Sequence, residues 1–402
     1  MASDRADYRA CMFRSSRRAP RVLHLQFSDP SGYPPIQHAT RLLCEAGFEC
    51  TLLAVRGPGQ SSELRFPSIE GAQVRYVGTL DRVGGALFSH YMAVAWREAL
   101  RLRPDWCYVS DAPVTPFALA ITEALRIPVV YHEHDSPCAP TTRFTRLYGA
   151  TRARLTRSMA VGVLPNAQRI DVLRAETQTR RPIECVWNCP SAHEIAAPRS
   201  VDPARPMRLI FQGSIVPDRL PETLIDALAE VDGTELHVCG YETQGSVGYV
   251  DRLRARANVM GVGERFVAHG ALADRDALLA ITRRCDVGLA FVTDPGGDVN
   301  MRFMTGASNK PFDYLSQGVP LMVTDDAAWR AFMVDPGFAR AARVGDRESL
   351  IQAIRWYRDN PDARIAMGER GRQRVLSEWN YGAQFRPVLD LMRARVAKSR
   401  WP

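Results

Sequence analysis

The sequence predicts an α/β fold made of two tandem doubly wound parallel-sheet domains. Short apolar segments typical of strands alternate with segments of helical periodicity along the 402 residues. The strand segments are continuously apolar rather than alternating, as expected for strands that helices cover on both faces of a parallel sheet. Near residue 200 a stretch rich in Pro, Ala and Ser interrupts the pattern, which then starts again. These observations predict two domains of similar construction.

The first half supplies seven strand segments. They are expected at 21–27, 50–55, 74–78, 106–110, 129–135 (a strand together with the loop after it), 160–165 and 185–188. Helical spacing lies between them, at 36–46, at 89–103 and in the segment before Pro128. Gly47 and Pro128 follow two of these helices, and both residue types end helices.

The second half repeats this order after a linker predicted at 191–206. Its strands are expected at 207–214, 235–240, 266–270, 286–292 and 320–324, and its helices at 221–230, 248–260, 275–284, 310–317 and from 347 onwards. Ligands bind such sheets at the carboxyl ends of the strands, so we expect a cleft between the two domains.

Composition and charge restrict the classes of function. A hydrophobic fraction of 46% and a charged fraction of 24% are typical of a globular protein. Because 52 Lys and Arg residues outnumber 44 Asp and Glu residues, the net charge of +8 favours anionic partners. The sequence contains neither an apolar run of about 18 residues nor a visible secretory signal, so we expect a cytoplasmic protein. The nine cysteines form no Cys-x-x-Cys pair, which predicts buried thiols rather than a zinc site.

The most specific motif of the chain lies at 308–320. It reads Ser-Asn-Lys-Pro-Phe-Asp-Tyr-Leu-Ser-Gln-Gly-Val-Pro and precedes an apolar strand. The motif resembles the donor-site signature of glycosyltransferases with the GT-B fold, and family 4 in particular. Further segments resemble parts of that family's C-terminal domain: 211–219, which contains Gly213, 266–270, which ends in Gly270, 286–290 and 359–372. The resemblance covers 207–395 well and 21–190 more loosely.

The resemblance implies a domain organisation. A basic arm at 1–20 would precede an N-terminal Rossmann-like acceptor domain at 21–190. After the linker, a C-terminal Rossmann-like domain at 207–382 would bind the nucleotide-sugar donor. A final helix at 383–402 would cross back to the first domain.

The donor motif contains the residue types that a nucleoside diphosphate requires. A diphosphate is bound by cations and by the backbone N–H groups of a helix N-terminus, and Ser308, Asn309 and Lys310 stand where a helix is predicted to begin. Lys310 is one of only two lysines among the 52 cationic residues. Together with Arg219 it would neutralise the departing diphosphate. The resemblance implies that Asp313, where the family has a glutamate, accepts hydrogen bonds from ribose hydroxyls. Gly213 and Gly270 belong to the same donor site by resemblance.

Two positions depart from the family pattern. Family 4 commonly has a second glutamate eight residues before the ribose-binding one, and this chain has Thr305 there. Ser214 stands where many members have an arginine. Both departures bear on which sugar is held and how.

The N-terminal half offers candidates for the acceptor side. Gly32 lies in the turn-rich loop after the first strand, where the family has a glycine-rich loop beside the diphosphate; an ordinary turn is the alternative. The segment Val-Val-Tyr-His-Glu-His-Asp at 129–135 ends a strand with four polar groups, which is costly unless they face a cleft. By resemblance His134 lies near the donor sugar and acceptor, with Glu133 and Asp135 beside it as further catalytic candidates. A hydrogen-bonded loop cluster is the alternative.

A run of five arginines without an acidic residue spans 143–157. Such a run fits an anionic membrane surface or a lipid-linked acceptor, although a solvated helix face is the more usual explanation. No recognition motif for nucleic acid accompanies it. We therefore expect no nucleic-acid partner.

The expected function is transfer of a sugar from a nucleotide-diphosphate sugar to an acceptor hydroxyl, on a glycan, a lipid-linked or a small-molecule acceptor. The resemblance implies retention at the anomeric carbon, no metal and no bound cofactor besides the nucleotide-sugar co-substrate. His134 would orient or polarise the reacting groups. Two alternatives remain open: another GT-B activity, such as a nucleotide-sugar epimerase or a non-sugar coupling enzyme, and a non-catalytic sugar-binding protein or inactive scaffold.

Overall fold

The structure is a computed structural model that describes residues 18–57, 62–80, 84–137, 142–200, 204–243, 245–293 and 296–399. Most of the predicted basic arm, residues 1–17, and part of the predicted linker, residues 201–203, lie outside this range.

The first lobe is built on a seven-stranded parallel sheet with the order β3-β2-β1-β4-β5-β6-β7. Its strands are β1 (Arg21–Gln26), β2 (Glu49–Arg56), β3 (Ala72–Thr79), β4 (Trp106–Ser110), β5 (Val129–His132), β6 (Val161–Leu164) and β7 (Ile183–Cys185). Its helices are α1 (Pro34–Glu45), α2 (Gly85–Leu102), α3 (Thr115–Leu125), α4 (Arg143–Ser158) and α5 (Ala167–Thr177). One apolar cluster packs α2, α3 and α4 on one face of the sheet, and a second packs α1 on the other.

The second lobe is built on a six-stranded parallel sheet with the order β10-β9-β8-β11-β12-β13. Its strands are β8 (Met207–Ile215), β9 (Thr234–Glu242), β10 (Phe266–Gly270), β11 (Val287–Ala290), β12 (Leu321–Thr324) and β13 (Ala339–Ala342). Its helices are α6 (Thr223–Ala229), α7 (Tyr249–Val259), α8 (Arg275–Arg283), α9 (Val299–Arg302), α10 (Asn309–Ser316), α11 (Ala327–Trp329), α12 (Arg347–Asp359) and α13 (Pro361–Ser377). Apolar clusters again cover both faces.

The last helix, α14 (Tyr381–Ser399), packs on the first lobe although it follows the second in the chain. Its apolar side chains Tyr381, Phe385 and Val388 belong to the same buried cluster as Ile36 and Leu43 of α1. The helix therefore completes one face of the first sheet.

Both sheets confirm the predicted doubly wound α/β class. In each sheet the strand order reverses next to the first strand of the lobe, between β1 and β4 and between β8 and β11. The carboxyl ends of strands at such a reversal leave a crevice where ligands bind. The two crevices open toward the same cleft, because its walls include residues from both lobes.

The structure contains four elements that had no predicted counterpart: α5, α9, α11 and β13. The arginine run forms α4. Within the strand and loop predicted at 129–135, the strand ends at His132 and the polar residues after it lie in the loop. Buried polar side chains such as Arg152 and Arg169 obscure the apolar stripe that marks a helix facing a core.

Candidate active site

The two lobes enclose a cleft of about 710 Å³. The loop between β1 and α1 and the loop after β5 form the first-lobe wall, and the strand ends of β8 and β9 with the N-terminus of α10 form the second-lobe wall. Of the predicted donor residues, seven line it: Gly32, Gly213, Arg219, Ser308, Asn309, Lys310 and Asp313. Gly270 ends β10 just before the lining begins at Ala271.

Two cations lie side by side in the cleft without a carboxylate partner. Neither Lys310 nor Arg219 forms an ion pair with any described residue. Burial in the cleft and the charge of Arg219 lower the pKa of Lys310 to about 7, although Asp313 opposes the shift. Two mutually repelling cations in a partly desolvated cleft form a site for an anion.

Gly213 leaves the room that Lys310 occupies. Its φ of 101° lies in a region that favours glycine. A Cβ at this position would lie 3.1 Å from Cε and 3.3 Å from Nζ of Lys310. The glycine at the end of β8 is therefore required both by the backbone and by the lysine.

The N-terminus of α10 faces the same space. Ser308 is the N-cap, but its side chain forms no capping hydrogen bond. The amide oxygen Oδ1 of Asn309 is buried and has no hydrogen-bond partner in the described part of the chain. Free backbone N–H groups at a helix N-terminus bind anions, so this helix end and the cation pair point to the same ligand.

Asp313 is held by two protein groups at the floor of the cleft. Its side chain is 2% exposed. Gln212 Nε2 donates to Oδ2 at 2.8 Å, and Arg275 Nη2 donates to Oδ1 at 2.8 Å. The carboxylate can accept further hydrogen bonds, but the arginine already fixes its orientation.

The sequence did not indicate Arg275 or its second partner, Glu194. Arg275 Nε donates to Glu194 Oε1 at 2.7 Å, and Nε2 of His38 lies 3.0 Å from Glu194 Oε2. Although burial works against the charge, Arg275 and His38 lower the pKa of Glu194. Since these residues are distant in sequence and come from α1, the linker and α8, no local pattern could have joined them.

His134 lies in the cleft wall at the start of the loop after β5. It is 5% exposed, and neither ring nitrogen has a hydrogen-bond partner among the described residues. Burial, and then the charge of Arg169, lower its pKa to about 3. The ring is therefore a neutral imidazole that can accept or donate one hydrogen bond to a ligand.

Asp111 holds the backbone of this loop. Its Oδ1 accepts the N–H of His134 at 2.7 Å. Its φ of 65° is unusual for a residue with a side chain, and such strain is concentrated at functional sites. No local sequence pattern indicated this residue.

Glu133 and Asp135 face different directions, and only Asp135 lies in the cleft. The Glu133 carboxylate is buried between Arg152, whose Nε and Nη2 donate at 2.6 and 2.7 Å, and the hydroxyls of Tyr131 and Ser136. The structure thus corrects the expectation that Glu133 reaches the reacting groups, because its oxygens are occupied by an ion pair. The side chain of Asp135 is 67% exposed and lines the cleft.

The departures from the family pattern also have places in the structure. Ser214 lines the cleft. Thr305 lies at the lobe interface, where its carbonyl accepts from Asn166 Nδ2 at 2.6 Å.

The arginine run is largely occupied by partners within the first lobe. Arg152 pairs with Glu133 and Glu176, Arg154 pairs with Glu123, and Arg157 donates to the carbonyl of Thr177. Of the arginines whose side chains are described, Arg146 alone has no such bond, so the run is not a free basic face.

Among the described residues, no helix combines the length and the hydropathy that a membrane span requires. No group of three or more His, Cys, Asp or Glu side chains there is arranged to hold a metal ion.

Comparison with known proteins assigns the domain. A family described as glycosyl transferase-like matches residues 219–390. No curated protein sequence matches the chain significantly. Residues 219–390 are a glycosyl transferase-like domain. This match confirms the expected enzyme class, a glycosyltransferase.

Solved structures confirm the GT-B fold. Sucrose-phosphate synthase from Thermosynechococcus elongatus superposes with a TM-score of 0.68 at 12% identity, covering 94% of this chain and 100% of that one. Anabaena HepE in complex with UDP-glucose gives 0.65 at 14% identity, covering 94% and 99%. WaaG, a glycosyltransferase involved in lipopolysaccharide biosynthesis, gives 0.64 at 13% identity, covering 92% and 99%. At these identities the likeness establishes the fold.

Within the GT-B scaffold, the cation pair and the α10 N-terminus belong to the glycosyl transferase-like domain. His134, Asp135 and Asp111 belong to the opposite lobe. The cleft therefore brings together one wall with two cations that lack a carboxylate partner among the described residues and one wall where a neutral imidazole and the Asp135 carboxylate lie among arginines.

Proposed function

We propose that the chain transfers a sugar from a nucleoside-diphosphate sugar to an acceptor hydroxyl. The observation that carries the proposal is the pairing of Lys310 and Arg219 beside the free N-terminus of α10. This arrangement suits a diphosphate, because its negative charge would neutralise both cations. It also suits the reaction, because negative charge develops on the diphosphate as the bond to the sugar breaks.

We propose a uridine nucleotide as the donor to test first. HepE has been solved with UDP and with UDP-glucose, and an E. coli neighbour with UDP-2-fluoro glucose. In this chain Asp313, which Arg275 orients, would accept hydrogen bonds from the ribose hydroxyls. The unpartnered amide oxygen of Asn309 lies beside the proposed phosphate site, where it would accept a hydrogen bond from a hydroxyl of the sugar or the ribose.

His134 and Asp135 are the proposed groups on the acceptor side. Because His134 is neutral, it would form a hydrogen bond with the sugar or the acceptor and would not act as a charged imidazolium. Asp135 faces the cleft, where it could orient the acceptor hydroxyl. We propose a family-4-like reaction with retention and without a metal, in which the departing diphosphate takes the acceptor proton.

The acceptor would lie against the first-lobe wall, near Tyr33 and Leu80. Among the α4 arginines whose side chains the structure describes, only Arg146 would be available to a lipid-linked acceptor at a membrane surface. We therefore favour recognition of the acceptor inside the cleft over docking through 143–157.

Thermal unfolding in the presence of UDP, GDP, ADP and dTDP tests the donor site. A ligand at 100 times its Kd stabilises by about 2.7 kcal/mol, which corresponds to about 3 °C for a chain of this length unfolding as a unit. Lys310→Ala should weaken the binding about 10- to 100-fold because one charge-assisted contact is lost.

Lys398→Ala is the matched control, since Lys398 is the other lysine of the chain and is exposed at the end of α14. It should bind the nucleotide like the wild type. If no nucleoside diphosphate stabilises the wild type, or if both lysine variants behave alike, the donor site is not where we place it.

A further inference from the structure

Arg169 is a buried cation that its local surroundings disfavour. It lies in the first turn of α5, where the helix dipole favours anions. The side chain is 1% exposed. The nearest carboxylate oxygen among the described residues, Oδ1 of Asp135, is 3.9 Å from its Nη1. A charge placed against these preferences is typical of a functional constraint.

The Arg169 guanidinium donates three hydrogen bonds to backbone carbonyls, and they belong to both lobes. Nη1 donates to the carbonyl of His134 at 2.8 Å, in the first lobe. Nη2 and Nε donate to the carbonyls of Asn300 and Phe303 at 2.7 and 3.1 Å, in the second lobe. Because the guanidinium is planar and rigid, these bonds fix the two segments relative to each other.

The contact continues along residues 300–307, which we call the strap. Three further first-lobe groups bind it: Asn166 Nδ2 to the carbonyl of Thr305 at 2.6 Å, Asn188 Nδ2 to the carbonyl of Ala307 at 2.5 Å, and Ser136 N to Asn300 Oδ1 at 2.7 Å. The strap leads directly into Ser308 at the N-terminus of α10. The strap and its hydrogen bonds therefore connect the N-terminus of α10 to the loop that carries His134.

We propose that Arg169 is a positioning residue that couples donor binding in the second lobe to the position of His134 in the first. The proposal rests on the proposed function. Arg169 forms no hydrogen bond with Lys310, Arg219 or Asp313, so it acts on the reaction through the strap and the His134 loop. A displacement of about 1 Å at a reacting group can lower a rate about 100-fold. Loosening Arg169 should therefore slow the reaction while nucleotide binding persists.

Hydrogen exchange with and without saturating UDP, or the nucleoside diphosphate that stabilises the wild type best, tests the coupling. In the wild type the nucleotide should protect both 308–316 and 133–137. In Arg169→Lys, which keeps the charge but whose single nitrogen cannot reach three carbonyls spread around a planar guanidinium, protection of 308–316 should remain and protection of 133–137 should be lost. The Kd for the nucleotide should stay within about threefold, while hydrolysis of UDP-glucose without acceptor falls about 10- to 100-fold.

Arg152→Lys is the control for the cost of changing a buried arginine. Arg152 binds Glu133 in the same loop, but all its partners lie in the first lobe. In this variant the nucleotide should protect 133–137 from hydrogen exchange as it does in the wild type. If the nucleotide also protects 133–137 in Arg169→Lys, or if the nucleotide affinity of Arg169→Lys falls as much as its rate, the coupling role is overturned. If the wild type binds no nucleoside diphosphate, the proposed function is wrong, and the coupling role of Arg169, which rests on it, is wrong as well.

Discussion

The folded surroundings of Lys310 oppose its positive charge. The pKa of this lysine in the folded chain is about 7, below its ordinary value of 10.5. Between these values the unfolded chain binds more protons than the folded chain, so this residue makes the free energy of unfolding rise with pH across that window. An anion in the cleft would restore the charge and remove this dependence.

Binding of a nucleoside diphosphate should therefore take up a proton. At pH 8 the free lysine is mostly neutral and the bound one charged, so we expect uptake of about 0.9 proton. The diphosphate itself has already lost its protons at this pH. Calorimetry in buffers with different ionisation enthalpies measures the uptake.

Lys398→Ala should keep this uptake, and Lys310→Ala should abolish it along with part of the affinity. Equal uptake in the wild type and in Lys310→Ala would contradict the assignment, because another group would then be the one that titrates.

The sequence predicted the position of residues that local structure places, and it failed where a distant partner decides. Lys310 was expected at a helix start and His134, by resemblance, at the end of a buried strand, and both line the cleft. Glu133 and Asp135 flank His134 in the same loop, and the sequence could not show which of the two carboxylates faces the cleft. Arg152 on α4 binds Glu133 and leaves Asp135 to the cleft. Arg275 could not be found for the same reason, since its carboxylate partners lie 38 and 81 residues away.

At the scale of elements, α10 is the helix whose placement matters most for the donor site. Helix α13 packs against it with glycines at the contact. A Cβ on Gly371 would lie 2.4 Å from Cδ2 of Leu315, and a Cβ on Gly368 would lie 2.1 Å from the carbonyl oxygen of Gly318. These close approaches fix α10 and, with it, the direction of its N-terminus.

Gly371→Ala should move α10 and lower both stability and nucleotide affinity. An added methyl in a packed contact costs about 1–3 kcal/mol. Denaturant unfolding and calorimetry measure the two effects on one preparation.

Gly149→Ala is the control, because Gly149 lies inside α4 with nothing within 4 Å of an added Cβ. It should stabilise by about 0.5–1 kcal/mol through the higher helix propensity of alanine, without any effect on the nucleotide. Unchanged stability of Gly371→Ala would mean that α13 can shift without consequence.

The elements themselves were mostly predictable. Strands β8 to β12 and helices α6, α7, α8 and α10 lie at the predicted positions within a few residues, because their apolar periodicity is clear. Helix α5 carries Arg169 and Asn166 toward the other lobe, and a polar inward face leaves no periodic signal. Strand β13 is only four residues long and lies at the edge of its sheet.

At the scale of the whole molecule, the lobes are joined by more than the linker. The strap joins them on one side of the cleft. The contact of His38 with Glu194 and Arg275 joins them at its floor. Helix α14 returns from the second lobe to cover α1.

Phe385→Ala should destabilise the first lobe although the residue follows the second lobe in the chain. Phe385 is fully buried in the cluster that contains Ile36 and Leu43. Its removal should cost about 3–5 kcal/mol, the usual range for a buried phenylalanine. Thermal unfolding with and without nucleotide should show a lower Tm than that of the wild type and an unchanged Kd for the nucleotide.

Leu376→Ala serves as the comparison, because Leu376 is also apolar but 49% exposed on α13. Its effect should stay within about 1 kcal/mol. A loss in Phe385→Ala no larger than this would show that α14 is not part of the first-lobe core.

The return of α14 has a consequence for biosynthesis. A ribosome adds about 5–20 residues per second, so about 10–40 s separate the start of the second lobe from Val396. During that time the first sheet has emerged, but α1 and its neighbours lack the side chains that will cover them. The lobe made first is therefore finished last, and a nascent chain stalled before residue 381 should present an apolar face to chaperones.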